Sequence, residues 1–171
     1  MNLQDDDFTL FGLTKQFAQD RAAVDARWKD LQREAHPDKF AAQGAAAQRV
    51  AMQWSVRINE AYQRIKDPLK RAAYLCELAG HAVNAHSNTA MPPAFLMQQM
   101  EWRETLDDAA SSAAVETLLD EVQAAQRQLL QQCETQLDQQ HDYPAAVATV
   151  RALMFVDKFS QDLHQRLDQL E

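Results

Sequence analysis

The run WKDLQREAHPDKF sets His36 and Asp38 on either side of Pro37. An imidazole can carry a proton near neutral pH and a carboxylate can accept charged hydrogen bonds. Proline lacks an N–H and crowds the turn before it, so a helix running into this word stops there. The two polar side chains are then left on a short, stiff loop, which suits docking onto another protein better than packing. Catalysis has less to stand on. There is no Ser/His/Asp or Cys/His arrangement and no phosphate-cradling glycine loop, so the chain is read as a non-enzyme. Cys76 and Cys133 are far apart and form no CxxC pair, and are read as two buried helical thiols in a reducing compartment. His81, His86, His141 and His164 have no cysteine or carboxylate at ligand spacing, so neither a metal nor any other cofactor is expected.

These residues are carried by helices. Only 3 Gly and 5 Pro accompany many Ala, Gln and Leu, and no β-branched alternation marks a strand. Phe8–Leu13 reads as a short apolar turn ended by Gly12. Asp20 caps a helix whose stripe is Val24, Trp28, Leu31 and Ala35. The loop 36–44 follows, then a helix over about 45–66 with Ala47, Ala51, Trp54, Ile58, Ala61 and Ile65 on one face. Pro68 can open a shorter helix through Leu78. The stretch GHAVNAHSNTAMPP is polar and without period, so it reads as a linker. Three helical patterns come after it: about 93–109, a second opened by Ser111-Ser112 and carrying Val115 to Leu137, and a third from near Pro144 carrying Val156 to Leu170. Long helices with short connections imply an antiparallel three-helix bundle. The expected organisation is 1–78, a linker 79–93, and a bundle 94–171.

Charge divides along the same line. Residues 1–75 hold 12 basic and 10 acidic side chains, net +2, whereas residues 76–171 hold 5 and 15, net −10. That asymmetry suggests two parts with different partners, and the acidic half argues against nucleic acid. No apolar run approaches a membrane span. The N-terminal MNLQDDDF has no basic signal-peptide region. A cytoplasmic monomer is expected.

The His36-Pro37-Asp38 word is followed in order by Ile58-Asn59-Glu60-Ala61-Tyr62, Asp67-Pro68 and Lys70-Arg71-Ala72-Ala73-Tyr74. Together these blocks resemble a J-domain, the module that activates DnaK-type ATP-driven chaperones. The resemblance implies that His36, Pro37 and Asp38, with Lys39 beside them, form the chaperone contact. It also implies that Arg27, Lys29 and Arg33 on the preceding helix supply electrostatic attraction. Asp38 would accept charge-assisted hydrogen bonds from an arginine. The common pattern has basic residues where Asp30 and Glu34 stand and an aromatic where Ala35 stands, a departure that points to a dedicated chaperone.

The remainder lacks glycine/phenylalanine-rich and zinc-repeat segments. Ala94-Phe95-Leu96-Met97 with Glu101-Trp102-Arg103-Glu104, and Val150-Arg151 with Phe155-Val156-Asp157-Lys158, make the whole chain similar to the HscB family of J-domain co-chaperones in iron–sulfur cluster assembly. Helical geometry agrees with a binding face. With Phe95 at zero, Trp102 and Leu106 fall within about 20°, facing the bundle, while Leu96, Met100 and Met97 fall at about 100°, 140° and 200°. Glu101, Glu104 and Asp108 share that outward side, with Arg103 nearby, and Phe155 lies one residue off its own core stripe. An apolar patch fringed by carboxylates reads as a partner site. The resemblance implies that it receives the scaffold protein IscU for delivery to an HscA-type chaperone. The alternative is a J-domain partner of a DnaK-type chaperone serving a different client.

Overall fold

The structure, a computed structural model, describes residues 2–83 and 91–170; residues 84–90 of the expected linker, His86 among them, lie outside these. The described residues are helical, with no strand among them, and form two compact units, Met1–Leu75 and Cys76–Glu171.

The first unit is the helical hairpin that the J-domain resemblance implies. Helix α1 (Asp7–Phe11) starts on Asp6, whose carboxylate accepts the Thr9 N–H, and ends on Gly12 at φ 65°, where the absence of a Cβ makes the left-handed cap inexpensive. Its Phe8, Leu10 and Phe11 are fully buried. Helix α2 (Arg21–Ala35) is capped by Asp20, which accepts the Ala22 N–H, and buries Val24 and Leu31. The opposing α3 (Ala45–Lys66) buries Ala51, Ile58, Ala61, Tyr62 and Ile65. Trp28 stacks on Tyr62 with centroids 4.5 Å apart. Where a loop was expected, Pro37–Gln43 forms a 3-10 turn; proline pre-sets φ for it, and Lys39 donates its N–H to the His36 carbonyl at 3.0 Å.

A buried ionic knot ties α1 to α3. The Asp7 carboxylate is fully buried and is held by Arg64 at 2.6 Å and Arg57 at 2.8 Å. Its backbone N–H donates to the Tyr74 hydroxyl at 3.1 Å. Two guanidinium groups offset the desolvation of one carboxylate, which would be costly alone. Arg57 also donates to the Leu3 and Asp5 carbonyls, so the same side chain secures the N-terminal segment.

The second unit is the three-helix bundle. Helices α5 (Pro93–Asp108), α6 (Ser112–Glu134) and α7 (Tyr143–Leu170) share a core of Trp102, Leu106, Val115, Leu118, Val122, Val156, Phe159 and Leu163. Ser111 caps α6 by accepting the Ala114 N–H. The chain leaves α6 through a π turn at Thr135–Gln139. Trp102 stacks on Phe159, Arg103 bridges to Asp162, and Arg166 donates to the Ala109 carbonyl. Both series rise together, so α5 and α7 are parallel and α6 runs against both. Helix α4 (Pro68–Leu78) contains the division between the units. Its Cys76 and the α6 residue Cys133 are completely buried. Loss of solvent pushes their thiols up to about 11 and about 12. The segment just beyond α4 is anchored, contrary to its linker-like composition: Val83 is buried and its carbonyl accepts a 2.8 Å hydrogen bond from Arg151 Nε.

Candidate partner-binding sites

In the first unit, His36 ends α2 in an extended conformation and accepts the Asp38 N–H on Nδ1 at 3.2 Å. The same Nδ1 lies 3.6 Å from Asp38 Oδ2. The Asp38 side chain is 92% exposed. Its charge is fully hydrated and desolvates only when a partner arrives. Lys39 and Lys29 are exposed as well. Arg33 pairs with Asp30 at 3.2 Å, both exposed, a contact of small worth that a partner can displace. Arg27 is different. It is half-buried, and its Nε donates to the Phe11 carbonyl at 3.0 Å, closing α1 against α2. Periodicity set Arg27 off the core stripe but could not reveal an acceptor on another helix.

In the second unit, Leu96, Met97 and Met100 of α5 are 46%, 63% and 66% exposed, and Phe155 of α7 is 41% exposed. Trp102 faces Phe159, so one turn earlier on each of these parallel helices Phe155 stands level with Gln98, between Leu96 and Met100 along the axis. Glu101, Glu104 and Asp108 are exposed on the same helix. Arg103 is exposed but partly committed to the bundle's own surface contacts: its guanidinium lies 4.8 Å over the Phe159 ring and bridges to Asp162 at 3.1 Å. The inward residues follow the periodicity, except that Phe95 is only partly buried against the core. It sits in the first turn of α5, where fewer neighbours surround it.

The arrangement leaves a charged turn on one unit and an acid-fringed apolar helix face on the other open to solvent. Among the described residues no group of three or more His, Cys, Asp or Glu could hold a metal ion. His81 stacks on Tyr143 at 5.8 Å. No helix of the described residues is long and apolar enough to cross a membrane.

Known proteins match both units. A family model described as the HSCB C-terminal oligomerisation domain matches residues 91–164. A co-chaperone protein HscB homolog from Bordetella petrii is 52% identical over 160 residues, covering 93% of this chain and 94% of that protein. The chain belongs to the HscB co-chaperone family. Two solved HscB structures carry the same fold over nearly the whole chain. HscB from Vibrio cholerae is 37% identical with a TM-score of 0.84, covering 98% of this chain and 100% of that one. Human HscB is 25% identical with a TM-score of 0.90, covering 96% of this chain and 83% of that one.

Proposed function

We propose that this HscB-family protein captures an IscU-type scaffold on its bundle, delivers it to an HscA-type chaperone and stimulates that chaperone's ATPase, aiding iron–sulfur cluster transfer. The observation that carries the reading is the pairing of two different surfaces on two compact units. One is a charged turn, His36-Pro37-Asp38 with Lys29, Arg33 and Lys39. The other is an acid-fringed apolar patch formed by Leu96, Met97, Met100 and Phe155, with Glu101, Glu104 and Asp108 around it.

Each surface has a physical role. Asp38 presents a hydrated carboxylate to an arginine on the chaperone, and a charge-assisted pair formed on docking is stronger than a neutral one. Exposed cations speed the encounter. Arg27 supports this face from within by joining α1 to α2, and Arg103 supports the patch by fixing α5 on α7. On the bundle, unbranched methionines adapt to a partner's contour. Segments 1–78 and 94–171, joined through 79–93, hold the two partners on one chain. Such tethering gives effective concentrations on the order of millimolar for short linkers. In this reading the protein performs no bond chemistry itself and works in the cytoplasm without a cofactor.

Steady-state ATP hydrolysis by purified HscA-type chaperone, with and without scaffold, tests the reading. Wild-type protein raises the rate, and scaffold raises it further. Asp38→Asn, with unchanged circular dichroism, removes the stimulation. A folded Asp38→Asn variant that stimulates normally refutes the docking mechanism. Stimulation that ignores the scaffold points instead to another client.

A further inference from the structure

The loop end of the α2–α3 hairpin is held unlike the rest of it. Leu31 is the last buried residue of α2. Beyond it, Ala35 faces an open apolar groove of about 430 Å³, walled by Phe40, Ala47, Trp54 and Ile58. Apolar packing therefore runs out one turn before His36. In its place is a set of hydrogen bonds centred on Gln32. Its Nε2 donates to Asn59 Oδ1 at 2.7 Å and to the Ser55 carbonyl at 3.2 Å. Its Oε1 accepts from Ser55 Oγ at 2.8 Å. Asn59 Oδ1 also accepts from Trp28 Nε1 at 3.0 Å.

We infer that Gln32 is a positioning residue: its latch to Ser55 and Asn59 substitutes for missing core packing and fixes the last turn of α2, and with it the placement of His36 and Asp38. A helix end with a groove beneath it can fray or rotate, whereas three hydrogen bonds from one half-buried amide set both its distance and its register. The latch faces α3 rather than a partner, so its effect on docking is indirect. This inference rests on the proposed reading of the loop as the chaperone contact.

The full-length protein tests it in two ways. Amide hydrogen exchange at Glu34, Ala35 and His36 needs no chaperone. Gln32→Leu should speed it, Asn59→Asp, which keeps the shared acceptor, should leave it close to wild type, and Gln32→Leu with Ala35→Phe should slow it again by filling the groove. In the ATPase assay, Gln32→Leu should raise the half-saturating concentration roughly three- to tenfold, the span expected when the equivalent of one net hydrogen bond is lost. The maximal stimulated rate should change less than about twofold, because the docked loop is unaltered once bound. Ala35→Phe should restore half-saturation, a rescue that a direct Gln32–chaperone contact would not give. Unchanged exchange in Gln32→Leu, or failure of Ala35→Phe to rescue a folded Gln32→Leu protein, overturns the inference. Normal stimulation by Asp38→Asn would remove the chaperone reading alone and leave the exchange result to decide the latch.

Discussion

Replacing Leu96, Met97 and Met100 together with Ala separates binding from folding. The three side chains are 46%, 63% and 66% exposed, so nearly two side chains' worth of apolar surface awaits a partner. Burial of a Leu or Met contributes about 1.5–3 kcal/mol, which sets a ceiling of about 3–5 kcal/mol for complete coverage. Alanine retains part of that surface, and ordering the flexible methionines offsets some of the gain. The expected loss of scaffold affinity is about 2–4 kcal/mol, roughly 30- to several-hundred-fold in Kd. Stability should move by no more than about 0.5 kcal/mol, because exposed truncations leave no cavity. Trp102→Ala is the opposite case. Trp102 is 3% exposed and stacked on Phe159, so its removal should destabilise the bundle by about 3–5 kcal/mol. Phe95→Ala falls between, at about 1–2 kcal/mol, since Phe95 is only partly buried. Isothermal titration with purified scaffold, beside thermal melts of each variant, reads both quantities. Unchanged scaffold binding by the triple variant, or a melting temperature as low as that of Trp102→Ala, would refute the assignment of two faces to α5.

Asp7→Asn leaves Arg57 and Arg64 without their carboxylate. Arg64 is 41% exposed and can turn to water, so the expected cost is about 2–3 kcal/mol, below the usual figure for a broken buried pair; urea denaturation coincident with wild type would contradict it. At Asp25 the Tyr62 hydroxyl, followed by the Arg21 guanidinium, holds the carboxyl below its ordinary value. A depressed folded-state pKa stabilises above the unfolded Asp value of about 3.9 and fades as pH falls below it. The melting difference between wild type and Asp25→Asn should therefore shrink between pH 5 and pH 3, and a difference that grows on acidification would reverse the sign of this argument. Raising ionic strength should increase the half-saturating concentration for chaperone stimulation, because exposed charges are screened over about 8–10 Å; Lys29→Glu should weaken stimulation at low salt more than at high salt, as ATPase titrations at two salt concentrations would show.

Much of this architecture was legible in residue spacing. Period-3.6 stripes found the helices, Asp20 and Ser111 announced their starts, and Pro37 and Pro68 marked breaks where the structure has them. The exposure of Leu96, Met97 and Met100 follows from angles on one helix, a local property. The misses are long-range or subtle in local geometry. Nothing near Arg27 in sequence indicates that its acceptor is the Phe11 carbonyl, and nothing near Arg151 indicates Val83. Gln32 reads as ordinary polar surface because its partners lie on α3. The 3-10 turn at Pro37–Gln43 and the π turn at Thr135–Gln139 differ from loop or α-helix by one hydrogen-bond step, a distinction that apolar periodicity does not encode.

The complete burial of Cys76 and Cys133 has a practical consequence. Thiol-reactive dyes and spin labels attack thiolates that solvent can reach. Both native thiols are enclosed and held protonated, so neither has to be removed before labelling. A single cysteine introduced on a solvent-facing position outside both proposed surfaces, such as Gln63 on one unit or Gln128 on the other, becomes the one reactive handle on the native fold. Paired handles at those positions would report the distance between the two units in solution, and its change when either partner binds, on an otherwise unaltered core.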